Sequence, residues 1–340
     1  MKIKSWYFWA GLLVSGIFLY IALRGLKLEQ VGEVIRSAQL GWLLLVIPID
    51  FTSLWFRSVR WRLLLRPVKT IPVKAVFPIM AIGYMGNNIY PARAGELLRA
   101  VILKQRQDIP IPSSLASIIV ERILDGVVIL GFIFFNFSEL NQLTSDSGMI
   151  ASIRSLALWG SLAFMSALLF LVLAARFPAG TERLLSLWVN RLMPSKWRDK
   201  VLQIAQRFFL GISALHSVRS LSMVLGSSLV IWLLETSVYW VVMLAFPFEI
   251  SFFGLMLMNG LLNLTTTIPS APGYVGTFDA PGIALLSAYG IARTLAAGYV
   301  LVLHAALWLP VTLLGAYFFS KEGLNWGKIM EKAKAEKEQA

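Results

Sequence analysis

Cysteine is absent from the chain, which excludes disulfides and thiolate metal sites and leaves no marker of redox compartment. Histidine is nearly absent, with only His216 and His304, too few for a His-rich metal cluster. No Walker-type phosphate loop and no Asp-x-Asp pair occurs. Neither nucleotide hydrolysis nor a resident cofactor is therefore expected, and any energy for work must come from an existing gradient. Charge is scarce too, at 14% of 340 residues against roughly 25% in an ordinary soluble domain.

What is present is apolar. Hydrophobic residues make up 57% of the chain and the mean hydropathy is +0.71. This composition reads as an all-α polytopic membrane protein, because a lipid-exposed backbone must satisfy its own polar groups. The net charge of +13 does not point to nucleic acid, since the basic residues fall in short loops beside apolar runs.

About 20 apolar residues cross a bilayer, and six stretches are long enough: Trp6 to Leu23, Leu40 to Phe56, Ser113 to Phe137, Ile150 to Ala175, Leu221 to Phe246 and Ala292 to Phe319. Residues 24–39 alternate charged and apolar positions and read as an interfacial amphipathic helix. Arg57, Arg60, Arg62, Arg66, Lys69 and Lys74 follow the second span with no intervening acid, which marks that end as cytoplasmic. The segment from Arg176 to Arg219 is equally basic and carries amphipathic helical periodicity at Leu184, Leu185, Leu187 and Trp188, continuing to Phe208 and Phe209. Alternation of sides puts both termini in the cytoplasm of a multi-pass protein of the cytoplasmic (inner) membrane. Trp6, Trp42, Trp61 and Trp240, near span ends, read as interfacial anchors.

Two stretches break the pattern. Val76 to Ile89 and Ala94 to Leu103 are each too short to cross and meet at Asn87, Asn88 and Pro91. Phe252 to Ala292 is interrupted by NLTTTIPSAPGYVGTFDAPG. Both read as re-entrant hairpins. Each follows a span with a single acid, Asp50 or Glu235, and Pro91 and Gly95 are spaced as Pro269 and Gly273 are. The chain thus divides into a first span and interfacial helix (1–39), unit A (40–137), a connecting span with cytoplasmic helices (138–219), unit B (220–320) and a charged tail (321–340). Units A and B enter from opposite sides, as in an inverted repeat.

Ionisable residues at membrane depth are costly and mark substrate or ion paths, or else neutralise one another. Asn87, Asn88, Arg93, Glu96 and Arg99 suit a phosphate-bearing headgroup, since guanidinium forks and half-helix N-termini both bind anions. The competing reading is pairing of Arg93 with Glu96, or of Glu96 with Arg99. Arg122 and Asp125 can pair along one helix, which leaves Glu121 for another cation, Arg93 or Arg99. Asp50 and Glu235 suit proton coupling or a plain ion pair. Asn263, Thr265, Thr266, Thr267, Ser270 and Asp279 either line a second half of the site, with Tyr274, or cap broken helices. Gly273 and Gly276 permit the turn. His304 reads as a satisfied packing residue.

NNIYPARAGELLRA (87–100), ERILD (121–125) and IPSAPGYVGTFDA (268–280), in this order, resemble the lysylphosphatidylglycerol synthase transmembrane-region family, also called flippase-like membrane proteins. The resemblance covers about Leu40 to Phe319. It implies a lipid flippase, as in the synthase half that moves aminoacylated phosphatidylglycerol, with other relatives tied to polyprenyl-phosphate or hopanoid pathways. The soluble aminoacyltransferase part has no counterpart in these residues, so aminoacyl transfer is not implied. A translocase for an amphiphilic anionic lipid is the leading expectation. The alternatives are an intramembrane enzyme on a lipid phosphate and a non-transporting subunit of a glycosyltransferase or lipid synthase. A homo-oligomer or an enzyme partner is compatible with all three.

Overall fold

The computed structural model describes residues 13–21, 24–90, 93–142, 147–267 and 271–322, and every secondary-structure element among them is helical. Pro91, Pro269, Ser270, half of the expected first span and nearly all of the charged tail lie outside the described residues. The order is α1 (13–21), α2 (Leu28–Ser37), α3 (Val46–Leu65), α4 (Val73–Ile89), α5 (Ala94–Gln107), α6 (Ile111–Phe135), α7 (Ser147–Arg176), α8 (Pro178–Leu192), α9 (Ser195–Ile212), α10 (Val218–Met243), α11 (Phe252–Thr265), α12 (Asp279–Ala288) and α13 (Arg293–Lys321).

Among the described residues, four segments are long and apolar enough to cross a membrane: Leu40–Leu65, Ala151–Arg176, Val218–Met243 and Arg293–Lys321. Of the six expected spans, the first is described only over residues 13–21, half of its length. The third is α6, whose 25 residues are long enough but carry Glu121, Arg122 and Asp125. Its charges face inward, for Glu121 and Asp125 are buried, so α6 lives among helices rather than against lipid.

The two interrupted stretches are helical hairpins. α4 ends at Ile89 with Tyr90 as its cap, and α5 starts after Arg93, which takes the left-handed backbone region (φ 51°). The helices lie close because glycines face each other. A Cβ on Gly95 would stand 1.9 Å from the Gly83 carbonyl oxygen and 2.6 Å from the Asn87 amide nitrogen. In the second hairpin, α11 starts at Ser251, whose hydroxyl accepts from the Gly254 amide at 2.9 Å. It ends in Thr265, Thr266 and Thr267, whose hydroxyls donate to carbonyls three residues back. Asp279 opens α12 and accepts from the Gly276 amide at 2.8 Å. Gly273 and Gly276 take φ of +71° and +83°, the turn-forming role expected of them.

Packing is reciprocal. α3 lies along α10, α4 along α13 and α11 along α6, so each hairpin leans on the helix that follows the other hairpin. One apolar core is built mainly from α10 to α13 and the other mainly from α3 to α6. α7 sits at the edge with most of its surface exposed, as suits a lipid-facing helix. α8 and α9 form an antiparallel pair whose exposed Leu184, Leu187 and Trp188 agree with the amphipathic reading.

Two tryptophan expectations part company. Trp42 and Trp240 are exposed at helix surfaces, but Trp61 is fully buried and donates to the Ser117 hydroxyl at 3.0 Å. Trp61 is therefore not an interfacial anchor, because it is the plate on which the Arg99 guanidinium lies, 4.1 Å from the ring centre.

Gly95→Ala should lower the melting temperature in detergent by several degrees, since backbone rather than a flexible side chain occupies the space. Gly32→Ala, with nothing within 4 Å, should leave it unchanged.

Candidate functional site

The seam between the two cores holds a cavity of about 180 Å³. At ~30 Å³ per water this is room for on the order of six waters, enough for a polar headgroup and too little for acyl chains. α3 gives it Asp50, Ser53 and Arg57, α4 gives Tyr84, Asn87 and Asn88, and α6 gives Arg122. Trp232 and Glu235 enter from α10 and His304 and Trp308 from α13, while the second break supplies Thr266, Gly273 and Tyr274. Arg93 closes the list of cations at the first break.

Arg93 and Tyr274 are the two non-glycine residues at the breaks with left-handed backbone, φ 51° and 61°. Such a conformation costs on the order of 1–3 kcal/mol and persists where the surroundings hold it. Here it aims the two side chains at each other, the guanidinium 5.8 Å from the ring centre. Arg93 Nη2 also reaches the Thr266 carbonyl at 3.4 Å, so this side chain links the two hairpins. Its remaining acid contact is Glu96 at 4.0 Å, and the side chain is about one-third exposed, which leaves donors for a ligand.

Arg57 is tethered on several sides. It pairs with Glu235, donates to the Tyr84 hydroxyl at 2.7 Å and lies over the Trp232 ring. Asn263 reaches Glu235 from α11 at 3.5 Å. Asn88 is held by Thr312 at 2.8 Å, tying α4 to α13 beside the cavity. Asn87 Oδ1 is buried with no partner among the described residues. His304 bridges the Asp279 carboxylate (2.8 Å) and the Gly273 carbonyl (2.7 Å), so it positions the second break while also lining the cavity.

Against and behind the cavity wall lies a largely buried ion network. Arg60 pairs with Glu121 and Asp125, Arg99 with Glu121 at 2.7 Å, and Arg122 with Glu96, Glu121 and Asp125. Trp232 donates to Asp125 at 2.9 Å. Glu121 thus meets Arg99 rather than Arg93, and Arg99 does not pair with Glu96.

The expected site residues divide accordingly. Asn87, Asn88, Arg93, Arg122, Thr266 and Tyr274 line the cavity, as do Asp50 and Glu235. Glu96, Arg99, Glu121 and Asp125 stand behind it as counter-charges, and Ser270 lies outside the described residues. The sequence reading placed Arg57 and Arg60 among the cytoplasmic flanking charges, and this is corrected. Arg60 is 0% and Arg57 7% exposed, and both belong to the site. Their signal was present in Glu121, Asp125 and Glu235, acids deep inside apolar spans that need cations brought from elsewhere.

The model of the lysylphosphatidylglycerol synthase transmembrane region matches residues 8–315. The chain belongs to that family. Similar proteins include the UPF0104 membrane protein of Methanothermobacter thermautotrophicus, 25% identical over 94% of both chains, and UPF0104 membrane protein MJ1595 of Methanocaldococcus jannaschii, 21% identical over 93% of this chain and 95% of the relative. Glycosyltransferase AglD of Haloferax volcanii is 26% identical over 90% of this chain, which spans 53% of that longer relative. No solved structure matches. In this chain the geometry is that of a polar chamber of about 180 Å³ flanked by two hairpins.

Glu121→Gln removes the shared counter-charge of Arg60, Arg99 and Arg122. It should cost about 3–5 kcal/mol, as loss of one partner of a buried ion pair does, read as a large drop in detergent melting temperature. Glu96→Gln, at a more exposed pair, should cost much less.

Proposed function

We propose that the chain is a lipid translocase for an amphiphilic lipid with an anionic, phosphate-bearing headgroup. The observation that carries this reading is the cavity between the two breaks, where Arg57, Arg93 and Arg122 converge on a space sized for a headgroup. A phosphate would take charge-assisted bonds from Arg93, whose donors are the least committed, with Arg122 behind it. Asn88, Thr266 and Tyr274 would supply neutral contacts, while the apolar tails stay in the bilayer. Lipid phosphates desolvate at a cost, and fixed guanidiniums offset it.

The reciprocal packing of the hairpins supports an inverted repeat, with α3–α6 and α10–α13 as its halves and the cavity on the pseudo-axis. Movement of one half against the other would expose the cavity to each leaflet in turn. Re-entrant insertion of both hairpins, residence in the cytoplasmic membrane and cytoplasmic termini belong to the same reading. So does the absence of a chemical step: apart from Asp50, and Asp279, which pairs with His304, the acids near the cavity are held in ion pairs with arginines rather than posed around a reacting group.

A second reading, a non-transporting membrane subunit for a separate glycosyltransferase, draws on the name of the haloarchaeal relative and on the part of it that this chain does not match. Its signature is activity that appears only when a second chain co-purifies.

Reconstituted vesicles with fluorescent phosphatidylglycerol, phosphatidic acid and prenyl phosphate in one leaflet test the translocase. The parent should move at least one of them faster than protein-free vesicles. Arg93→Ala should lose about tenfold or more of that rate, the worth of one charged hydrogen bond of about 1.5–3 kcal/mol. Arg183→Ala, on the exposed face of α8, should match the parent. Movement of none of these probes, with Arg93→Ala equal to the parent, defeats the reading.

A further inference from the structure

We propose that Asp50 is a proton-binding site coupled to the headgroup anion, so that the carrier moves one proton together with each lipid monoanion. This rests on the translocase reading and adds its energy source.

Charge balance in the polar core carries the inference. Five guanidiniums, on Arg57, Arg60, Arg93, Arg99 and Arg122, face five carboxylates, on Asp50, Glu96, Glu121, Asp125 and Glu235. Glu96, Glu121, Asp125 and Glu235 each lie within an ion pair. Asp50 is the exception among the described residues: it is 7% exposed, lines the cavity, and its Oδ2 is buried with no hydrogen-bond partner. The Asp279–His304 pair adds no net charge. His304 Nε2 faces a carbonyl and must carry a hydrogen, so the pair is either carboxylate with imidazolium or acid with imidazole, and both sum to zero.

The empty core is thus neutral with Asp50 ionised. A phosphate monoanion in the cavity makes it −1, and one proton on Asp50 restores zero. The step is a protonation only: the Asp50 carboxylate takes H⁺ from cavity water and becomes a carboxylic acid, and it returns the proton when the anion leaves. An uncompensated charge in a desolvated site costs several kcal/mol, which is the force that ties the two events. Linkage makes the tie reciprocal, so each ligand favours the other.

The surroundings of Asp50 fit the role. Arg57 is seven residues on along the same face of α3, a rise of about 10 Å along the helix axis at 1.5 Å per residue, and although it lines the same cavity it is already committed to Glu235 and Tyr84. From the other elements around the cavity come Glu235 on α10, Tyr84 on α4, Arg122 on α6, Arg93 at the first break and His304 on α13. Asp50 therefore has a wet path and no fixed counter-ion, a combination that none of the other four carboxylates has among the described residues.

The test imposes a pH difference across the vesicles described above, using whichever probe lipid the parent moves. Acid outside should drive the probe inward to an accumulation of about tenfold per pH unit, the ratio set by one co-transported proton. Asp50→Asn should abolish the response to the pH difference, and Asp50→Glu should retain it. A response absent in the parent, or surviving in Asp50→Asn, overturns the proposal while leaving the translocase intact. Infrared titration of the purified parent needs no lipid and reads the group directly. It should show a buried carboxylic-acid carbonyl band at low pH that disappears as pH rises and is missing from Asp50→Asn. A band unchanged in that variant, or absent from the parent, overturns the assignment of the proton to Asp50 even if no probe is moved.

Discussion

The cost of holding ions away from water governs this structure. A buried charge is tolerated when its partners are close and its remaining hydrogen-bonding capacity is used, and Glu121, at 0% exposure, meets that demand by accepting from Arg60, Arg99 and Arg122 together. Arg99 adds the face of Trp61, and Asp125 adds the indole N–H of Trp232. Because these groups come from α3, α5, α6 and α10, the network fixes how four helices meet. The cavity exists where the network stops and water-facing polar groups take over.

The hairpins follow from a second constraint. Backbone groups freed where a helix breaks need partners, and within apolar surroundings those partners must be protein or cavity water. Thr265 to Thr267, Asp279 and His304 supply them at the second break. Gly83, Gly86 and Gly95 let α4 and α5 approach so closely that side chains would collide, which brings Arg93 to the mouth of the cavity. The strained backbone at Arg93 and Tyr274 is held by the contact of the two residues with each other and with the opposite hairpin. Strain and polar exposure thus coincide at one place, the place where a headgroup would bind.

Relatives matched along nearly their whole length share the membrane-protein description, whereas the haloarchaeal glycosyltransferase extends well beyond the matched part. The matched membrane unit thus recurs in relatives with and without additional chain.

Much of this was legible in the order of residues. Apolar run length set out the helices, Pro, Gly and Asn clusters located both breaks, and the acids inside spans at Glu121, Asp125 and Glu235 announced buried cations. The partners were not legible. Arg57 and Arg60 read as a cytoplasmic boundary because charge counting runs along the chain, while their acids stand 178, 61 and 65 residues away. Trp61 read as an anchor for the same reason. Composition and local spacing determine which segments are helical and where they interrupt, since those preferences act over a turn or two. Which ion faces water and which is sealed behind a wall is decided only when helices pack, because solvation depends on neighbours brought in from distant parts of the chain.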